Sequence, residues 1–164
     1  MSNHSFGPNS LKQYNTLHNE LQLILDHAII ESDVDFSLVE GYRSPETQFE
    51  FYKKGRTQTA NGDWIVTDPK QVITNVDGYK IIGTHSYSPS IAVDIAIYVP
   101  GKPELTYDKV HLAYVAGVIM TIANRLFEEG KIKNKLRWGG NWDRDGDLKD
   151  NTLYDEPHFE LIKP

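Results

Sequence analysis

Cysteine is absent from this chain of 164 residues, so it can form neither a disulfide nor a thiolate metal site. Any metal that the protein binds must be held by histidine, aspartate, glutamate or backbone oxygen. An excess of positive charge is missing as well, because 17 Lys and Arg stand against 23 Asp and Glu, for a net charge of −6. Nucleic-acid binding depends on Lys and Arg at the phosphates, so we expect no nucleic-acid partner.

Long apolar runs, repeats and low-complexity tracts are also absent. No stretch reaches the roughly 18 consecutive apolar residues of a membrane span, and no basic start followed by an apolar core marks a signal peptide. We therefore expect synthesis in the cytoplasm and no membrane insertion. Hydrophobic residues at 39% and charged residues at 24% are typical of a globular protein. The sequence predicts a loose N-terminal segment at 1–9 and a single domain at 10–164.

The spacing of apolar residues predicts an α+β fold with a small, mostly antiparallel sheet packed with two or three long helices. A first helix is expected from Ser10, whose side chain would form a capping box with Gln13, to Ala28. The other predicted elements are, in order, a strand at 34–38, a helix at 45–54, a loop or small hairpin at 56–83, a strand around Asp94, a long helix at 110–129, and short strands at KLRW and PHFELI.

Asp94 lies at the centre of the apolar run IAVDIAIY. Alternation in a strand places Val93 and Ile95 on one face and Asp94 on the other, and a carboxylate inside a sheet needs a partner or a metal. His85 precedes it by nine positions, and His158 follows an acid pair late in the chain. Together they would give a metal three ligands and an open fourth position. The alternative is a buried His and Asp that bind each other.

The loop NWDRDGDLKDN resembles the first half of a calcium loop. Asn141, Asp143, Asp145 and Asp147 supply oxygens at alternate positions, which is the pattern that Ca²⁺ prefers, and Asp150 adds a further carboxylate. The twelfth position is Thr152, where an EF-hand has a bidentate glutamate. The sequence leaves two interpretations, a calcium site at these four residues or a solvated acidic loop.

Four stretches carry a resemblance to a known family, namely GYRSPETQFEFYKKGRT, THSYSPSIAVD, RWGGNWDRDGD and YDEPHFEL. In this order they resemble the zinc enzymes that include D-alanyl-D-alanine carboxypeptidases and L-alanyl-D-glutamate peptidases, above all single-domain phage endolysins, over residues 10–162. The resemblance implies zinc ligands at His85, Asp94 and His158, a general base at Asp155, and a substrate-steadying Arg43. The chain departs from the family by a glycine in place of a serine two residues before His85 and by two added residues before Asp94.

Glu156, the residue after Asp155, is a second candidate for the general base. Strand alternation before Pro157 places Glu156 on the face of His158, whereas the family spacing selects Asp155. We expect Asp155, because a turn leading into Pro157 would break the alternation.

The function that the resemblance implies is hydrolysis of the peptidoglycan stem peptide between L-alanine and D-glutamate. Zinc would polarise the scissile carbonyl, Asp155 would move the proton from water to the leaving amine, and Arg43 would offset the developing charge. The protein would be a monomer that serves as a phage lysis protein and reaches the wall through a membrane pore. The alternatives are a D-alanyl-D-alanine carboxypeptidase of the same fold and a non-catalytic wall-binding or virion module.

Overall fold

A computed structural model describes residues 4–150 and 154–164. It confirms the predicted α+β fold. The α-helices of the described residues are α1 (Pro8–Tyr14), α2 (Asn19–Glu31), α3 (Pro45–Lys53) and α4 (Lys109–Glu128). The strands are β1 (Phe36–Glu40), β2 (Arg56–Gln58), β3 (Trp64–Val66), β4 (Ala92–Ile97), β5 (Lys135–Trp138) and β6 (His158–Ile162).

The main sheet has the strand order β1-β4-β6-β5, and every neighbouring pair is antiparallel. One face of this sheet is apolar and packs against α4, which in turn packs against α2. The side chains that form this core face are Phe36, Leu38, Val93, Ile95, Ile97, Leu136, Trp138, Phe159 and Leu161. Strands β2 and β3 form a separate hairpin within the predicted loop region.

The other face of the sheet carries charged side chains, because side chains alternate along each strand. The register pairs Asp94 with His158 and Arg137 with Glu160 across adjacent strands. In β1 a register shift after Leu38 places Glu40 opposite Asp94. Such a bulge reverses the alternation locally, so Glu40 joins the charged face instead of the core. The chemistry and the core of this protein therefore occupy opposite faces of the same strands.

The long first helix that the apolar spacing predicts is in fact two helices, with a break at residues 15–18. Ser90 binds the chain there, since its amide donates to the Thr16 carbonyl and its carbonyl accepts from the His18 amide, both at 2.8 Å. The His18 ring then accepts from the Glu20 amide and caps α2. The break thus joins the helices to the turn that leads into β4.

Ser10 does not have the capping role that we predicted. The N-cap of α1 is Gly7, and Ser10 is buried, with its hydroxyl accepting from the Leu38 amide at 3.0 Å. Helix α1 begins at Pro8, inside the segment expected to be loose, of which residues 1–3 lie outside the described residues.

Two further helix predictions are confirmed. Ser44 caps α3 by accepting from the Thr47 amide, and Gly55 follows the helix with a φ of 74°. Helix α4 begins after Asp108, which caps it, and is long and apolar enough to cross a membrane by length and composition. A core helix passes the same test, and α4 buries Leu112, Val115, Ala116, Ile119, Ile122, Ala123 and Leu126.

Candidate active site

Three of the residues singled out in the sequence meet on the charged face of the sheet. His85 comes from a 3-10 turn (Thr84–Ser86), Asp94 from β4 and His158 from the start of β6. Asp94 Oδ1 lies 2.9 Å from His158 Nδ1 and 3.3 Å from His85 Nε2. The two imidazole nitrogens are 3.2 Å apart, and both histidines are buried. One donor atom from each residue falls within 4.8 Å of the others, so the group could hold a metal ion.

Both histidines have a second partner on the far side of the ring. His85 Nδ1 lies 2.7 Å from the Gly41 carbonyl oxygen, which can only accept a hydrogen bond. His85 therefore donates from Nδ1 to this carbonyl, and its other nitrogen, Nε2, faces Asp94. His158 Nε2 lies 3.1 Å from Oε2 of Glu160, a carboxylate that is only 4% exposed.

The electrostatics of this group favour positive charge. Burial alone would raise the pKa of Asp94, yet hydrogen bonds from His158 and His85 hold it well below its usual range. Burial likewise opposes the charged form of His158, but Asp94 and Glu160 raise the pKa of His158 to about 9. The pKa of Glu160 is lowered to about 2, because His158 and Arg137 outweigh its burial. Two ionised carboxylates thus surround one imidazole, an arrangement suited to a bound cation.

Arg43 lies beside the histidine and aspartate group. Its Nε and Nη2 donate to the two carboxylate oxygens of Glu40, its Nη1 donates to Gln48 at 2.9 Å, and Nη2 is 4.0 Å from Asp94 Oδ2. The guanidinium also covers the ring of Phe51 at 4.8 Å. Arg43 therefore forms an ion pair with Glu40, as many structural arginines do, and its guanidinium also lies near Asp94. Its role in the reaction stays a prediction.

Asp155 and Glu156 point in different directions. Asp155 is an exposed residue whose carboxyl lines the same cleft as His85 and His158, where desolvation raises its pKa. Glu156 instead pairs with Lys109 at 3.0 Å and lines a different cavity. The placement favours Asp155 as the acid that can reach a substrate in the cleft.

The cleft over this group has a volume of about 600 Å³. Its lining includes aliphatic side chains from the chain after the β2–β3 hairpin, among them Ile73, Val76 and Ile82. Trp142 and Arg137 also line this cleft. A cleft of this volume is large enough for a short peptide segment.

Glu160, Arg137 and Glu40 are the charged residues of the site that we did not predict. The signal for Glu160 was present, since it follows His158 by two positions in a strand and must share its face. Glu40 could not be found in this way, because the bulge in β1 reverses the alternation.

The acidic loop brings together three of its carboxylates. Oxygens of Asp143, Asp145 and Asp150 lie within 4.8 Å of one another, and all three residues are exposed. The side chains of Asn141, Asp145 and Asp147 also accept hydrogen bonds from backbone amides of the loop. Thr152 lies outside the described residues.

Comparisons with known proteins agree with the resemblance described above. A sequence model of a family described as phage L-alanyl-D-glutamate peptidase matches residues 1–162. The L-alanyl-D-glutamate peptidase of Escherichia phage T5 is 28% identical over 162 residues, which are 96% of this chain and 97% of that protein. The crystal structure of the Serratia marcescens L-Ala D-Glu endopeptidase ChiX is similar in fold, with a TM-score of 0.60 and 21% identity over 98% of this chain and 92% of that one.

Proposed function

The chain belongs to the phage L-alanyl-D-glutamate peptidase family, and from this membership we propose that it is a zinc-dependent endopeptidase of peptidoglycan. Its substrate is the stem peptide, and the bond it hydrolyses joins L-alanine to D-glutamate. The observation that carries the proposal is the cluster of His85, Asp94 and His158 at the base of an open cleft.

The donor atoms of this cluster fit zinc. Two imidazole nitrogens and one carboxylate oxygen are ligands that zinc prefers, and a set of three leaves a position for substrate or water. Zinc bound there would polarise the scissile carbonyl and lower the pKa of a water molecule. The outer contacts of both histidines, to Gly41 and Glu160, are those expected of metal ligands.

The chain itself supplies the remaining steps. Asp155, which lines the cleft and has a raised pKa, takes the proton of the attacking water and passes it to the leaving amine of D-glutamate. Arg43, held by Glu40 and Gln48, donates hydrogen bonds to the oxygen on which negative charge develops. The fixed guanidinium needs little reorganisation during the reaction, which is how preorganised donors lower a barrier.

We further propose that residues 10–164 act as one catalytic domain, as a monomer, and on the cell wall after release at host lysis. The acidic loop is a candidate calcium site, now centred on the three neighbouring carboxylates of Asp143, Asp145 and Asp150. Oxygen ligands in a flexible, negatively charged loop are what Ca²⁺ requires.

Digestion of purified peptidoglycan tests the reaction. New amino groups on D-glutamate are the expected products. Released D-alanine would instead indicate a D-alanyl-D-alanine carboxypeptidase, and the absence of products would indicate a non-catalytic module.

The metal assignment is tested by substitution and metal analysis. His85→Ala, Asp94→Ala and His158→Ala should each lose both zinc and cleavage, because the loss of one of three protein ligands disrupts the site. His111→Ala is the matched control, since His111 pairs with Asp108 at the start of α4, and it should keep both. Full zinc occupancy in any of the three site variants would contradict the ligand set.

A further inference from the structure

We infer that Glu160, held by Arg137, is a positioning residue that keeps a proton on His158 Nε2 and thereby presents His158 Nδ1 to the metal. The inference rests on the proposed metal site. It concerns how the protein selects which ring nitrogen of His158 binds.

Each oxygen of Glu160 has a separate partner. Arg137 and Glu160 face each other across β5 and β6, and Arg137 Nε donates to Glu160 Oε1 at 3.0 Å while Nη2 donates to the same oxygen. The other oxygen, Oε2, lies 3.1 Å from His158 Nε2. Thr84 lines the same cleft as this carboxylate. Because Glu160 is 4% exposed, water does not compete freely for these contacts.

An ionised carboxylate can only accept hydrogen bonds, so the His158 nitrogen that faces it must donate. Histidine binds a metal in its neutral form, and a neutral imidazole that donates from Nε2 has its lone pair on Nδ1. That atom is the one beside Asp94 Oδ1 and His85 Nε2, at 2.9 and 3.2 Å. Carboxylate contacts of this kind fix the tautomer and orientation of metal-binding histidines.

Arg137 determines which atoms of residue 160 face His158. Its guanidinium is a donor only, so it always takes an oxygen of the side chain at 160. In a Glu160→Gln variant the single amide oxygen would face Arg137 and the NH₂ group would face His158. His158 Nε2 would then have to accept, and the ring proton would move to Nδ1, the metal-binding atom.

The zinc dissociation constant, measured by competition with a chromophoric chelator, tests this reasoning. Glu160→Gln should weaken zinc binding by about 10- to 100-fold, as loss of an outer-shell partner does. Methionine at position 160 has nearly the same shape as glutamate but neither a strong donor nor a strong acceptor. In Glu160→Met, therefore, residue 160 favours neither tautomer of the His158 ring. This variant should bind zinc more tightly than Glu160→Gln, although glutamine is the more similar residue.

A double variant provides the rescue. Adding Arg137→Met to Glu160→Gln releases the amide oxygen to turn toward His158, and most of the lost zinc affinity should return. Arg137→Met alone keeps the carboxylate that faces His158, so its loss of zinc affinity should be smaller than the roughly 10- to 100-fold loss expected for Glu160→Gln. Thermal melts of the metal-free variants check that each one folds.

Three outcomes would overturn the inference while leaving the metal site in place. They are an unchanged zinc dissociation constant in Glu160→Gln, a Glu160→Met variant that binds more weakly than Glu160→Gln, and a double variant as weak as Glu160→Gln. If Glu160→Gln does not fold, Glu160→Met must still bind zinc more weakly than wild type for the inference to stand. A wild-type protein that binds no zinc overturns the proposed function, and this inference with it.

Discussion

Replacing Asp155 with asparagine tests which of the two acids before His158, Asp155 or Glu156, is the general base. The side chain keeps its shape, and the contacts that hold this residue use its main chain, with its amide donating to Gly139 at 2.9 Å and its carbonyl accepting from His158 at 3.0 Å. The substitution should therefore leave the fold and the zinc content unchanged. It removes only the ability to accept a proton.

The expected loss follows from that single change. A positioned general base contributes about 10²- to 10⁴-fold to a rate, and with about 1.36 kcal/mol per tenfold its loss raises the barrier by roughly 2.7 to 5.4 kcal/mol. Glu156→Gln is the matched control. It breaks the pair with Lys109, whose side chain is 77% exposed, so at most about 1 kcal/mol of stability is lost. Its rate of hydrolysis should equal that of wild type.

The assay follows the release of amino groups from purified peptidoglycan at saturating zinc, with zinc content measured on the same samples. Wild-type hydrolysis by Asp155→Asn would refute the assignment of the base. An inactive, zinc-loaded Glu156→Gln beside it would show that strand alternation was the better guide.

Arg43→Ala should keep zinc but lower kcat by about a hundredfold, the usual cost of removing one transition-state donor; a wild-type kcat below the melting temperature would leave Arg43 a structural ion-pair residue. Millimolar calcium should raise the melting temperature through Asp143, Asp145 and Asp150, and the triple Asn variant should not respond; an equal response in both would place the effect elsewhere. Glu20→Gln should lower the melting temperature at neutral pH, because Glu20 accepts three hydrogen bonds from the 133–134 segment. Although desolvation opposes it, these bonds lower the pKa of Glu20. Its contribution is therefore complete above the unfolded pKa of about 4.3 and is lost as the pH falls through the folded value, so the two melting curves should converge in acid.

The sequence predicts most reliably those features that follow from a local pattern, such as the alternation of side chains along a strand or the residues at the ends of a helix. In β4 the alternation around Asp94 predicts a core face and a polar face, and both are present. The capping residue Ser44 and the terminator Gly55 give the bounds of α3 in the same way. These features depend on neighbours in the chain, so local patterns are sufficient to find them.

Features that depend on distant partners could not be predicted. The break before α2 contains neither proline nor glycine, and it exists because Ser90 binds Thr16 and His18 from far along the chain. The pairing of Arg43 with Glu40 likewise requires the bulge in β1, which the sequence does not mark. In both cases a tertiary contact outweighs the local preference of the chain.

The site could be anticipated in part for the same reason. His85, Asp94 and His158 were selected by residue type and by a family resemblance, and the antiparallel register of β4 and β6 brings the last two side by side. Glu160 was overlooked because PHFELI reads as an apolar strand. In a strand, a glutamate two positions after a metal-binding histidine lies on the same face and can hydrogen-bond to the ring.

Hydrogen bonds from Asp155 to Gly139 and from Gly139 to His158 close the acidic loop at its base. The approach is so close that a Cβ on Gly139 would lie 2.2 Å from the Asp155 carbonyl oxygen. Because these contacts close the loop at its base, we expect the position of Asp155 to depend little on how many residues the outer part of the loop contains. Doubling the length of a flexible loop costs only about 0.6 kcal/mol. The exposed stretch around Gly146 is therefore a place where a peptide tag or a second binding module can be inserted into the chain while the catalytic side chains stay in register.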